Sequence, residues 1–219
     1  MHGPLPPPAR STVCSAHALR LLQTTRQQLA ERLDRGEAFW LYAYGSLLWK
    51  PQFTPAEIRP ARLWGFHRAL RMRSRVNRGS AECPGLVFAL LPGGSCVGQV
   101  HRAGSGDGAD ALSQLDTLWE REMPNGVYTP RWLRCHTSQG PVTALAFTLD
   151  PDHPSHTGRL DDAAHLAIFR NAAGRYGRTV DYLHRTAQCL QALSIHDAEV
   201  SRLVRLARDH GLLPGQDGA

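Results

Sequence analysis

Two stretches carry residues whose types and spacing could do chemistry. The first is Tyr44-Gly45-Ser46-Leu47-Leu48-Trp49. It follows Phe39-Trp40-Leu41-Tyr42-Ala43, an aromatic-rich run that reads as a buried β-strand. A strand that breaks at Gly-Ser leaves successive backbone N–H groups in a turn without ladder partners. Such a turn can hold an anion, either a carboxylate or the oxyanion of a reacting carbonyl. Gly45 has no side chain, so a ligand can approach the backbone closely. The competing role is ordinary punctuation after a strand, with Trp49 filling core.

The second stretch is residues 111–123, which contain neither Gly nor Pro and place Leu112, Leu115, Leu118 and Trp119 at helical spacing. Pro124-Asn125-Gly126 stops the helix. At about 100° per residue, Glu122 lies one turn after Leu118 and close to Leu115 in angle, so it falls on the apolar face. Glu120 points nearly the opposite way and Arg121 lies to one side. An inward carboxylate is unfavourable unless it is paired, hydrogen-bonded or reactive. Burial also raises its pKa towards neutrality, which suits a general base or acid. A structural ion pair with an arginine is the competing role.

The elements that must position these groups follow from the patterning. Residues 1–15 read as a disordered Pro-rich tail, residues 16–36 as an amphipathic helix with its glycine stop, and 37–213 as a single domain ending in helices. Residues 214–219 read as a frayed tail. Residues 50–60, punctuated by Pro51, Pro55 and Pro60, read mostly as loop. Residues 61–77 alternate as one or two strands around Gly65. Residues 86–91 and 96–101 read as a hairpin about Pro92-Gly93-Gly94. Residues 104–108 read as a flexible loop. Two more strands follow over 126–133 and 141–149. Helices are expected over 163–173, 179–193 and 198–210.

Composition narrows the function classes. A chain of 219 residues with 42% hydrophobic content suits a globular protein with one sizeable core. No run reaches the roughly 18 apolar residues of a membrane span, and the amino terminus lacks a secretory pattern. A cytoplasmic, membrane-free protein is expected. Cys14, Cys83, Cys96, Cys135 and Cys189 form no Cys-x-x-Cys pair, which argues against a disulfide framework and a zinc site. His153 and His156 sit in a Pro-broken loop without further ligands. No metal and no cofactor are expected. The net charge is +6, and Lys50 is the sole lysine. Arg71, Arg73 and Arg75 fall at period two, on one strand face. They are either a solvated face or a positive wall for an anion. No aromatics interleave with them and no basic recognition helix accompanies them, which argues against nucleic acid.

Tyr44-Gly45-Ser46-Leu47-Leu48-Trp49 resembles the Tyr-Gly-Ser-Leu-x-Trp signature of the ChaC family of γ-glutamylcyclotransferases. Further segments carry the resemblance in the same order. Leu118-Trp119-Glu120-Arg121-Glu122-Met123 is similar to the family's Arg-Glu segment. Arg78-Gly79-Ser80-Ala81-Glu82-Cys83-Pro84-Gly85-Leu86 is similar to its Arg-Gly-x-x-Glu-x-Pro-Gly-Leu loop. Gly126-Val127-Tyr128 and Asp181-Tyr182-Leu183, with Leu193 and Asp197, also fit. The match runs from about Phe39 to Asp197. Departures are Ser194, where glycine is common, Arg178, where asparagine is common, and Gln99 and His101, where apolar or aromatic residues are usual.

The resemblance implies an α+β fold, a mixed, partly closed β-barrel with surrounding helices. It implies cyclisation of the γ-glutamyl group of reduced glutathione to 5-oxoproline, with release of cysteinylglycine. Glu122 would be the catalytic acid and base. The backbone of residues 44–48 would hold the substrate's α-carboxylate and the oxyanion, and Trp49 favours the glutathione branch. Tyr128 and Tyr182, with Arg71, Arg73 or Arg75 for the glycine carboxylate, complete the candidate site. Glutathione is the expected partner; the sequence is silent on oligomeric state. A non-catalytic glutathione-binding module and a γ-glutamyl-amino-acid cyclotransferase are the alternatives, ahead of a basic nucleic-acid-binding protein.

Overall fold

The computed structural model describes residues 15–104 and 108–214. The expected tails over 1–14 and 215–219, and part of the expected loop at 104–108, lie outside the described residues. Ser15, assigned to the tail from sequence, instead caps the first helix, its Oγ accepting from Ala18 N at 3.1 Å.

Five strands close into a barrel: β1 (Trp40–Ala43), β2 (Glu57–Ser74), β3 (Gly85–Arg102), β4 (Thr129–Thr137) and β5 (Gly140–Thr148). Their order around the barrel is β1-β3-β2-β4-β5, with β1 parallel to β5 and antiparallel to β3. The α+β barrel is therefore mixed, as expected, and fully closed. β1 is buried along its whole length, because it lies between two strands with helices against the barrel. That explains its unbroken apolar run in place of alternation.

Helix α1 (Ala16–Asp34) packs against α2 (Gly108–Glu122). Leu115, Leu118 and Trp119 of α2 are buried, and Trp119 Nε1 donates to Ala18 O at 3.1 Å. Each such burial stabilises the pairing by about 1.5–3 kcal/mol. Helices α3 (Asp162–Asn171), α4 (Thr179–Ala192) and α5 (Ala198–Asp209) follow. A minimal hairpin of β6 (Ala173–Gly174) and β7 (Gly177–Arg178) joins α3 to α4.

Two sequence expectations are corrected. Pro92-Gly93-Gly94 is not a hairpin turn; it lies inside the continuous strand β3. The pairing jumps from Trp64↔Ser95 to Phe66↔Pro92, so Gly65 alone faces Gly93 and Gly94. All three glycines have positive φ, at +81°, +99° and +68°. The two long strands bend together through a bulge and do not reverse. Likewise β2 begins at Glu57, inside the expected loop, and runs through Pro60. Pro60 pairs only with Gln99 of β3, and β4 meets β2 first at Arg62, so one side of Pro60 has no partner strand and can hold a nitrogen without a hydrogen.

Candidate active site

The turn after β1 is built from its backbone. Ser46–Leu48 form one turn of 3₁₀ helix. Leu48 N donates to Gly45 O at 3.0 Å, and Lys50 N donates to Ser46 O at 2.9 Å. The N–H groups of Gly45, Ser46 and Leu47 have no acceptor among the described residues. Three consecutive unengaged donors are what a nest for negative charge requires. Tyr44, just before them, is locked at both ends. Its hydroxyl donates to Phe147 O at 2.9 Å, and its carbonyl accepts from Arg68 Nε at 2.6 Å.

A pocket of about 300 Å³, its open mouth included, is lined by Tyr44, Gly45, Ser46, Leu47, Phe88, Glu122, Tyr128, Phe147 and Tyr182. Helix α2 ends at Glu122 and delivers it to this pocket, with 15% of the side chain exposed. Burial raises the Glu122 carboxyl above its ordinary value, against the opposing pull of the Arg121 guanidinium. The carbonyl end of α2 acts in the same direction as burial. Arg121 Nε stands 3.1 Å from Glu122 Oε1. The same guanidinium donates to Ser46 Oγ at 2.9 Å, Lys50 O at 2.6 Å and Gln52 Oε1 at 3.1 Å. The nest and the carboxylate are thus one guanidinium apart.

The remaining walls are aromatic. Burial holds the Tyr44 and Tyr128 phenols well above their ordinary pKa and pushes Tyr182 up to about 12, so all three stay neutral. A dry wall of neutral hydroxyls strengthens any charge interaction inside it.

Of the sequence candidates, Tyr44, Gly45, Ser46, Leu47, Glu122, Tyr128 and Tyr182 meet in this pocket. Leu48 turns into the core, and Trp49 backs the pocket by packing on Tyr182 at 5.7 Å. Arg71, Arg73 and Arg75 do not line it. Arg71 falls in a bulge between Ala69 and Met72, and β2 ends at Ser74, before Arg75. Arg71 pairs with Glu199 at 3.5 Å, Arg73 donates to the carbonyls of Pro154 and His156, and Arg75 is exposed beyond the strand.

Sequence reasoning missed two arginines. Arg121 was legible as lying to one side of α2, but nothing in the sequence showed that the turn occupies that side. Arg68, with 1% of its side chain exposed, pairs with Asp197 Oδ2 at 2.6 Å and donates to Val97 O at 2.7 Å. No sequence signal marks it, because its carboxylate lies 129 residues away.

The Arg78–Gly85 loop holds its glycines for space. A Cβ on Gly85 would stand 2.1 Å from Arg78 O, and one on Gly79 would stand 2.0 Å from Gly85 N. Ser194, named above as a departure from the family's common glycine, is the one described non-glycine residue with positive φ, at 55°.

The ChaC-like protein family profile matches residues 39–210. The glutathione-specific γ-glutamylcyclotransferase of Escherichia coli K12 is 34% identical over 178 residues, covering 80% of this chain and 75% of that protein. Glutathione-specific γ-glutamylcyclotransferase 1 of Rattus norvegicus is 29% identical, covering 71% of each chain. Among solved structures, a yeast γ-glutamyl cyclotransferase specific to glutathione shares the fold. Its TM-score is 0.70 at 19% identity, over 80% of this chain and 97% of that one.

Proposed function

This chain belongs to the ChaC-like protein family, and on that premise we propose that it is a glutathione-specific γ-glutamylcyclotransferase with Glu122 as acid and base. The substrate's α-amine attacks its own γ-carbonyl carbon. A tetrahedral oxyanion forms, the bond to the cysteinyl nitrogen breaks, and 5-oxoproline and cysteinylglycine leave. Because the attack is intramolecular, the pocket has mainly to fold the γ-glutamyl group into an attacking shape.

Glu122, ionised, takes a proton from the α-ammonium and returns one to the departing amine. Its raised pKa brings it closer to the amine it serves. The N–H groups of Gly45, Ser46 and Leu47 supply the donors for the α-carboxylate and the developing oxyanion. Tyr128 and Tyr182 add neutral walls. No step calls for a metal or cofactor. We place the reaction in the cytoplasm; no helix among the described residues is long and apolar enough to cross a membrane.

The observation that carries this reading is that one largely buried, pKa-raised carboxylate and three residues with unengaged N–H donors line a single pocket. Incubation of the purified chain with reduced glutathione should yield 5-oxoproline and cysteinylglycine in equal amounts. Absence of both overturns the reading.

A further inference from the structure

Glutathione carries a second carboxylate on its glycine, and the arginines of β2 do not face the pocket. We propose that Arg78 and Arg185 form the subsite for that far carboxylate; this rests on the cyclotransferase reading of the pocket.

Tyr182 joins the two arginines to the site. Its ring lines the pocket, and the Arg78 guanidinium lies 5.0 Å from the ring centroid. Trp49 packs on the same ring at 5.7 Å, and the Arg185 guanidinium lies 5.8 Å from the Trp49 ring. Tyr182 and Arg185 are three apart on α4 and share a face. The γ-carbonyl and the glycine carboxylate of glutathione are two residues apart, about 7 Å when extended. Neither arginine lines the pocket itself; both adjoin it through aromatic rings, Arg78 on Tyr182 and Arg185 on Trp49, where a substrate reaching out of the pocket mouth would meet them.

The two cations want an anion. Among the described residues neither makes an ion pair. Burial chiefly, and Arg185 to a smaller extent, disfavour the charge on Arg78. Asp181, whose charge Arg78 also feels, already accepts the backbone N–H of Arg178 at 3.3 Å. Arg78 is held in place beforehand. Its backbone N donates to Ser74 Oγ at 3.0 Å, its carbonyl accepts from Thr179 Oγ1 at 3.2 Å, and its guanidinium donates to Tyr176 O. The close approach of Gly79 and Gly85 fixes the loop that carries it. A planar, preplaced guanidinium suits a carboxylate.

The test compares glutathione with glutathione whose glycine carboxylate is replaced by a carboxamide. Wild type should prefer glutathione by about tenfold in kcat/KM. Arg185→Ala, at an exposed side chain, should lower kcat/KM for glutathione about threefold to fivefold, through KM, and leave the carboxamide unchanged. Arg78→Lys should keep charge and fold yet narrow the same preference. Equal turnover of the two substrates by wild type, or equal losses on both in Arg185→Ala, overturns the subsite and leaves the cyclotransferase reading standing. No 5-oxoproline from either substrate overturns that reading and the subsite with it.

Discussion

Arg121 and Glu122 are consecutive in sequence and paired in space: Nε of one stands 3.1 Å from Oε1 of the other. The guanidinium that holds the carboxylate also grips Ser46 Oγ at 2.9 Å. The end of α2 and the turn after β1 are therefore locked as one unit. The pair also sets two opposed influences on the carboxyl, and burial outweighs the arginine.

Glu122→Gln is expected to fold and to lose at least about 100-fold in turnover of glutathione, because an amide cannot shuttle the proton. The measurement is 5-oxoproline formation alongside a circular dichroism spectrum. A folded variant with near-wild-type turnover would remove Glu122 from the acid–base role.

The pH profile follows from the direction of the shift. Glu122 must be ionised to accept a proton, and its pKa lies above the ordinary 4.5. Turnover should fall as pH drops through that raised pKa, earlier than an exposed carboxyl would allow. Arg121→Gln removes the charge that favours the ionised form, so the acid limb should move to higher pH. A limb that stays put, or moves down, contradicts this account.

The same shift has a consequence for stability. A carboxyl whose folded pKa is raised contributes stability below its unfolded pKa and loses it as pH rises through the folded value. Above that folded value wild type carries a charge that burial disfavours. Glu122→Gln should melt roughly 2–4 °C higher at pH 7. The difference should close as pH falls below the ordinary carboxyl range, which melting curves at both pH values would test.

Arg68→Ala would leave Asp197 without its cation and the carbonyls of Tyr44 and Val97 without their donor. The expected loss is about 3 kcal/mol, measured as a lower urea midpoint at unchanged slope. Because Tyr44 precedes the donor nest, turnover of the folded fraction should fall as well. A change within experimental error would show that the buried pair is not needed.

Ser194→Gly replaces the one described non-glycine residue at positive φ, 55°. It should stabilise the chain by roughly 0.5–1 kcal/mol, with kinetics unchanged. Loss of stability would mean that the serine makes up for its backbone strain.

The sequence by itself determined what short-range periodicity controls. The Tyr44–Leu47 break after a continuous apolar strand, and Glu122 on the leucine face of α2, were both readable from residue spacing. The family-like motifs then suggested that they belong together. What the tertiary structure decided is what lies opposite them. Pro92-Gly93-Gly94 carries the turn signal of a hairpin, yet Gly65 on the neighbouring strand makes it a bulge. Arg71, Arg73 and Arg75 look like one charged face, yet Arg71 falls in the bulge between Ala69 and Met72 and Arg75 lies past the end of β2. Arg68 looks like another surface arginine until the barrel brings Asp197 to it across 129 residues. Backbone periodicity is set within a few residues, whereas the pairing of a buried charge depends on strand register and closure, which no local window contains.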